Sequence, residues 1–415
     1  MGERSVITIL GLDGSPLTPG DSAVLAGATL VVGGRRQLAA APPPEKAAVV
    51  ELGPLSPALA ALAGHDGDAV VLASGDPGFF GILRALRERG LDCAVRPAVS
   101  CVAVAFARAG LSWDDAQVAS AHGRDPRHAV NLCRAHPKVA VLTGPGFGPG
   151  ELGAELAGWD RRLIVAEHLG APGERVTACP AAEAAARSWE DPNVVIVLAG
   201  DPASAGPAWH WPPGRAGGGW ALPEEEFTQT DAVMTKAEVR ALALAWLAPG
   251  PGRLIGDVGA GTGSVGIECA RLGAAVIAIE RDPRRAKLVR ENALRHDADV
   301  RVVEGEAPGA LDGLPAMDAA YIGGGGPCVV EAVASRRPAT IVVALAAVDR
   351  VGPACAVLDG AGYTVDGALL QASRLSPLPG GVHRFEAVNP VFLVWGTRSE
   401  GQAEGQLGGQ PEGAS

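Results

Sequence analysis

The chain has 415 residues, 47% of them hydrophobic and 20% charged, enough for two or three domains with cores of their own. Its net charge of −11 speaks against a nucleic-acid partner, and no apolar run is long enough to span a membrane. Seven cysteines stand far apart without a C-x-x-C pair, so neither a disulfide framework nor a bound metal is expected.

The opening MGERSVITIL lacks the basic region and long apolar core of a signal peptide, and a cytoplasmic location is expected. It leads directly into the first of six β-rich runs: SVITILG, ATLVVGG, DAVVLAS, KVAVLTG, RRLIVAEH and NVVIVLAG. Such continuous runs predict strands buried on both faces, and the amphipathic FFGILRALRERG between two of them predicts a helix. Residues 1–205 therefore read as one α/β domain. From Gly206 to Glu226 the sequence is rich in Pro and Gly and loses its apolar periodicity, which predicts an inter-domain linker. A second α/β domain is expected over 227–398. It alternates a helix at AVMTKAEVRALALAWLAP, strands at RLIGDVG, AAVIAIE, VRVVEG, MDAAYIGG, TIVVALA and PVFLVWG, and a helix at DPRRAKLVRENALRH. Asp282 is the candidate N-cap of that last helix, with Pro283 at its first position. The polar, low-complexity residues 399–415 predict a disordered tail.

Two glycine-rich turns follow predicted strands. In the downstream one, DVGAGTGSVGIE, Gly259, Gly261 and Gly263 remove side chains where backbone would approach a ligand closely. Glu280, at the end of the next strand, is placed to accept hydrogen bonds from both hydroxyls of a ribose. The G-x-G-x-G spacing departs from the dinucleotide fingerprint. Asp257 beside it disfavours a pyrophosphate but suits the ammonium end of S-adenosylmethionine. A methyltransferase is thus favoured over a dehydrogenase, with Ala260 and Thr262 in the same loop and Glu306 and Ala307 placed for an adenine contact. Gly266 falls inside the following helix, where alanine would gain about 0.8–1 kcal/mol if packing allows. The upstream turn, LASGDPGFFG, lacks a G-K-[ST] ending, and on its own residues a structural turn and a ligand loop both stay open.

The motifs MTKAEVRALALAWL, DVGAGTGSVGIE, AIERDP, VVEGEAP and YIGGGG, in that order, resemble the decarboxylating precorrin methyltransferases of the CbiT type. That resemblance implies a Rossmann-like class I methyltransferase fold. It also implies an S-adenosylmethionine pocket including Thr235, Gly259 to Gly263, Glu280 and the segment 305–307. An Asn common in that family is missing near Ala344. Upstream, VVGGRRQL, LASGDPGFFGI, RPAVSCVAVAFARAGLSWDDAQVASAHGR, VAVLTG and EHLGAPGERV resemble the CbiE-type tetrapyrrole methylases. This implies a two-lobed α/β fold with a cofactor cleft lined by Gly75, Asp76, Pro77, Ser100, Cys101, Thr143 and Gly144. Two departures are Asp13 in the first glycine turn and Ala98 and Cys101 where Gly and Ser are commoner. The fusion resembles the CobL-type bifunctional precorrin methyltransferases. It implies two S-adenosylmethionine sites per chain, methylation at ring carbons 5 and 15, and loss of carbon dioxide from an acetate side chain, in cobalamin biosynthesis.

No catalytic residue is evident in the sequence. His122, Arg374, His383 and Arg384 are candidate contacts for an anionic tetrapyrrole, with a structural or solvated role as the alternative for each. A homo-oligomer is expected, without nucleic acid or membrane. Two other functions stay open: methylation of another small acceptor, and an upstream half that only binds tetrapyrrole. A nicotinamide-dependent oxidoreductase is disfavoured.

Overall fold

A computed structural model describes residues 6–200, 219–229 and 234–398. Most of the expected linker (206–218) and the expected tail (399–415) lie outside the described residues. The chain divides into two compact units, 1–126 with 137–205, and 127–136 with 206–415.

In the first unit, one sheet has five parallel strands in the order Ala48–Glu51, Leu30–Gly33, Ala69–Ser74, Ile7–Leu12 and Cys93–Arg96. The central strands are almost fully buried, as their uninterrupted apolar runs predict. A second, mixed sheet runs Gln117–Ser120, Lys138–Leu142, Asn193–Ala199, Arg161–Glu167 and Arg175–Pro180. The helix Cys101–Ala109 leaves the last strand of the first sheet. It buries Val102, Ala105 and Phe106 against Ala140, Val194, Ile196 and Leu198 of the second. Ser100 starts this helix by accepting the Ala103 N–H on its hydroxyl at 3.2 Å, and Gly110 ends it in the left-handed region.

The second unit is built on a seven-stranded sheet. Its order is Val300–Glu304, Ala275–Glu280, Leu254–Val258, Ala319–Ile322, Thr340–Leu345, Val391–Thr397 and Thr364–Leu370. The first five strands are parallel and the last two pairings antiparallel. The helix Ala237–Leu247 buries Val239, Ala243, Leu244 and Leu247 against this sheet. The helix Pro283–Arg295 is capped by Asp282, which accepts the Arg284 N–H at 2.9 Å, with proline at its first position as the sequence predicts. A separate two-stranded ribbon pairs Ser373–Pro377 with His383–Ala387.

The end of the expected linker is folded. The amides of Ala221 and Leu222 both donate to the Glu268 carboxylate, and Phe227 is buried against Ile267 and Ala293. Pro and Gly break the apolar period there, but Leu222, Glu224 and Phe227 still anchor the segment to the second unit.

Candidate functional site

Leu254–Val258 is the first strand of its sheet in chain order, and the order reverses between it and Ala319–Ile322. The loops leaving the carboxyl ends of these two strands diverge, which opens a crevice where α/β sheets bind ligands. A cavity of about 440 Å3 lies there. Of the residues expected in a downstream pocket, Thr235, Gly259, Ala260, Gly261, Thr262, Glu280, Glu306 and Ala307 line it. The loop is tight: Gly259 has φ of +72°, and a Cβ on it would stand 2.9 Å from the backbone nitrogen of Gly324. Only glycine supports both that torsion and that approach.

Glu280 is 4% exposed, yet its carboxylate borders the cavity. One oxygen accepts the Gly261 N–H at 2.8 Å and the other the Asp282 N–H at 3.0 Å. Each oxygen keeps a second lone pair, so the group both shapes the loop and remains able to accept from a ligand's hydroxyls. Thr235 Oγ1 lies 3.1 Å from the Tyr321 hydroxyl on the wall of the same cavity. Behind Thr235, the guanidinium of Arg240, fully buried, donates to the carbonyls of Thr235 and Leu222 and meets Glu268 at 2.7 Å. Glu306 faces solvent and pairs with Arg281 at 2.8 Å.

Two expected pocket residues stand elsewhere. Gly263 packs against Val289 and Ile267 and lines no part of the cavity. Asp257, expected to meet a cofactor's ammonium, lies beneath the loop at 1% exposure and is also absent from the cavity wall. Its Oδ2 accepts the Gly266 N–H at 2.9 Å, in the first turn of the helix Ser264–Arg271. Burial pushes its carboxyl up to about 7, against the pull of that hydrogen bond. The sequence placed an acid beside the loop without showing which way it turns.

The substrate candidates are also redistributed. Arg374 is not available to a substrate carboxylate: it donates to Glu224 at 2.8 Å and to Glu238 at 3.0 and 2.7 Å. Glu224 in turn accepts the Ala237 N–H at 2.9 Å, capping the helix Ala237–Leu247, and the guanidinium of Arg374 holds its carboxyl down at about 2. Arg374 thus fastens the two-stranded ribbon to the helix start. His383 and Arg384 sit on the exposed outer strand of that ribbon, Arg384 at 3.4 Å from Glu386, and neither lines the cavity.

In the first unit the expected residues fall into two groups. Gly75, at φ +60°, presses against Ser100 and Cys101: a Cβ there would lie 3.1 Å from Ser100 Cα and 3.2 Å from Cys101 N. Asp76 accepts the Gly78 N–H at 2.8 Å, shaping the turn through Pro77. Elsewhere Gly144 packs on His122, whose Nδ1 lies 3.3 Å from the Thr143 carbonyl. The hydroxyls of Ser100 and Thr143 are engaged within the fold, the latter with Asn193 at 2.7 and 2.8 Å. What these positions offer a ligand is therefore mainly backbone. Asp13, the departure in the first glycine turn, braces that turn: it accepts the amides of Ser15 at 3.0 Å and Val99 at 3.4 Å.

Sequence reasoning missed Arg350, Arg285 and Cys328 on the cavity wall, and gave no role to Gly323 to Gly326. Spacing alone did not signal them: Gly323 to Gly326, Cys328 and Arg350 follow the fourth and fifth parallel strands rather than the glycine loop, and Arg285 stands on the helix after Glu280. The wall as a whole fits S-adenosylmethionine. A loop free of side chains leaves backbone open to a ligand, a buried carboxylate on the wall can still accept from hydroxyls, and the volume lies in the usual range for a small-molecule pocket. No group of three or more His, Cys, Asp or Glu among the described residues is arranged to hold a metal ion, and no described helix is long and apolar enough to cross a membrane.

Comparison with known proteins follows the same division. Residues 11–185 match the family of Tetrapyrrole (Corrin/Porphyrin) Methylases, and residues 226–397 match the Precorrin methyltransferase domain. A precorrin-6Y C(5,15)-methyltransferase [decarboxylating] of a Sinorhizobium species is 41% identical over 290 residues, covering 66% of this chain and 67% of that protein. Its namesake from Mycobacterium tuberculosis (strain CDC 1551 / Oshkosh) is 35% identical, covering 69% and 72%. A probable cobalt-precorrin-6B C(15)-methyltransferase (decarboxylating) from Pyrobaculum calidifontis is 33% identical over 44% of this chain and 97% of its own length. With both methyltransferase domains present and relatives matched across most of their length, the chain belongs to the family of decarboxylating precorrin-6Y C(5,15)-methyltransferases.

Proposed function

We propose that the chain methylates a precorrin of the 6Y type at ring carbons 5 and 15 and removes carbon dioxide from an acetate side chain. Carbon 5 falls to the first unit, carbon 15 and the decarboxylation to the second. The observation that carries this reading is the cavity at the switch point of the second unit, in a chain whose first unit matches a different methylase family. Bound there, S-adenosylmethionine supplies an electrophilic methyl group on a sulfonium.

The chain's own residues do the positioning. In the second unit, Gly259 to Thr262 bring backbone to the ligand, Glu280 faces its ribose, and Glu306 and Ala307 border the adenine end. Thr235 and Tyr321 add a hydrogen-bonded pair to the wall, and burial keeps the Tyr321 phenol protonated by raising it. In the first unit, the second cofactor site is formed by Gly75, Asp76, Pro77, Ser100 and Cys101, with Thr143 and Gly144. The electron-rich tetrapyrrole carbon is itself the nucleophile, so alignment in a site sheltered from water supplies much of the rate.

Incubating the full chain with S-adenosylmethionine and precorrin-6Y, with products read by mass, tests this. Two added methyl groups and one lost carbon dioxide are expected, and calorimetry should count two cofactor sites per chain. A single methyl group with one site would reduce the first unit to a binding module, the second reading that the braced turn at Asp13 keeps in play.

A further inference from the structure

The strand order fixes where each charged residue stands along the cavity of the second unit: both carboxylates lie at one end, each near an arginine, and Arg350 at the other. Across the carboxyl ends of the parallel strands come Glu306, Glu280, the glycine loop, Gly323 to Gly326, and the turn carrying Arg350. At ordinary strand spacing the outer strands of this set stand roughly 19 Å apart. Glu280 and Glu306 suit hydroxyl and amine donors; Arg350 suits an anion.

Three arginines line the cavity, and they are not equivalent. Arg281 pairs with Glu306 at 2.8 Å and Arg285 stands 3.9 Å from Asp282. Arg350 pairs with no carboxylate among the described residues. Among the described residues the one hydrogen bond of its guanidinium runs to the Gly325 carbonyl at 3.4 Å and leaves most of its donors unused. The wall beside it is kept bare. Gly325 has a reason within the fold, with φ of +114° and a would-be Cβ 2.7 Å from Val329. At Gly324 and Gly326 a Cβ would meet nothing within 4 Å, and neither has a left-handed backbone. Packing does not require glycine at those two positions, yet both border the cavity next to the unpaired guanidinium.

We propose that Arg350, with the open wall at Gly324 and Gly326, is the subsite that holds a carboxylate of the tetrapyrrole, and that this carboxylate is one the reaction keeps. The proposal rests on the methyltransferase reading above. A decarboxylating substrate carries at least one carboxylate, and in a chain of net charge −11 its capture needs a local cation. The retained group is specified by the chemistry. A leaving carboxylate gives up its negative charge as carbon dioxide forms, so a guanidinium paired with it would favour the ground state over the transition state and slow the step. A guanidinium on a retained carboxylate carries no such cost and fixes the ring against the methyl donor.

The test uses the full chain with precorrin-6Y, reading carbon dioxide release, methyl transfer and S-adenosylmethionine affinity for wild type, Arg350→Gln, Arg350→Lys and Gly324→Val. Arg350 is exposed, so its replacement leaves the fold intact. Arg350→Gln should raise the KM for precorrin about 10- to 100-fold, as loss of a charge-assisted pair does. Carbon dioxide released per methyl added at carbon 15 should not change, nor should cofactor affinity. Arg350→Lys should recover part of the loss, because an ammonium restores the charge without the planar fork. Gly324→Val should raise the same KM by filling the wall.

An unchanged precorrin KM in Arg350→Gln, with wild type active, overturns the subsite alone. More carbon dioxide per methyl would mean that Arg350 holds the leaving carboxylate, and weaker cofactor binding with unchanged precorrin KM would assign it to the cofactor's own carboxylate. Either result overturns the proposal. A wild-type chain without turnover overturns the function itself, and this subsite with it.

Discussion

The carboxylate of Asp257 accepts the Gly266 N–H at 2.9 Å from under the glycine loop, and it also occupies the space a side chain at 266 would need. A Cβ on Gly266 would stand 2.9 Å from Asp257 Oδ2 and 3.0 Å from Val276 Cγ1. Helix propensity alone favours alanine there by about 0.8–1 kcal/mol, whereas overpacking a full core costs about 1–3 kcal/mol. Gly266→Ala is therefore predicted to destabilise the chain. Urea unfolding decides it, and a variant more stable than wild type would show that Asp257 moves aside freely.

The same carboxyl gives a pH signature. Its pKa rises from 3.8 to about 7 on folding, mainly through burial. Between these values the native state keeps a proton that the unfolded chain releases, so this group makes stability fall as pH rises, and its effect is constant above about 7. Asp257→Asn removes the titration. The stability difference between variant and wild type should shift toward the variant from pH 5 to pH 7.5; a difference equal at both would mean the carboxyl is already ionised at pH 5.

Arg374 is predicted to matter for stability and not for substrate. Removing it leaves Glu224, about one-tenth exposed, with its negative charge at a helix start and no guanidinium. Arg374→Ala should cost about 1–3 kcal/mol, discounted because the arginine itself is partly solvated. Thermal unfolding should show the loss while the precorrin KM stays put. A raised KM without a stability loss would return Arg374 to the substrate.

Glu280 serves both loop and ligand, so its variants should separate the two roles. Glu280→Ala removes the acceptor for Gly261 and the partner for a ribose; Glu280→Gln keeps one carbonyl oxygen. S-adenosylmethionine affinity at one of the two proposed sites should fall about 10- to 100-fold for alanine and less for glutamine, the range of a charge-assisted hydrogen bond. Calorimetry on the full chain supplies its own control in the site of the first unit. Equal affinities for all three proteins would dismiss the ribose assignment.

What was legible in the sequence follows burial. Strands such as Ala275–Glu280 and Asn193–Ala199 are buried nearly throughout, and their apolar runs announce them. Arg175–Pro180 and Thr364–Leu370 are mostly exposed edge strands, the second carrying Gly367, and their mixed residues hide them. The cavity was legible on the side formed by the glycine loop and Glu280, where local spacing encodes the geometry. It was illegible where partners come from afar: Arg374 meets carboxylates 150 and 136 positions away, and no pattern near Ser373 or Leu375 signals them.

The buried pair of Arg240 and Glu268, at 0% and 1% exposure, yields the last prediction. An isolated buried ion pair is often replaced by apolar residues without loss, while breaking one partner costs about 3–5 kcal/mol. This pair differs, because its remaining hydrogen bonds go to backbone. Glu268 accepts from Ala221 and Leu222, and Arg240 donates to the carbonyls of Leu222 and Thr235. An apolar double replacement, Arg240→Leu with Glu268→Met, would leave those partly buried groups without partners, and each fully buried one would cost about 1–3 kcal/mol. The double variant should thus be at least as unstable as either single one. In hydrogen exchange, the Ala221 and Leu222 amides should lose their protection in the Glu268→Met and double variants, which lack their acceptor. Thr235 borders the cavity, so cofactor affinity should fall in step with that exchange. If the double variant recovered wild-type stability, the backbone bonds would add nothing to the pair; if affinity held while the amides exchanged freely, the bonds at Ala221 and Leu222 would not shape the cavity.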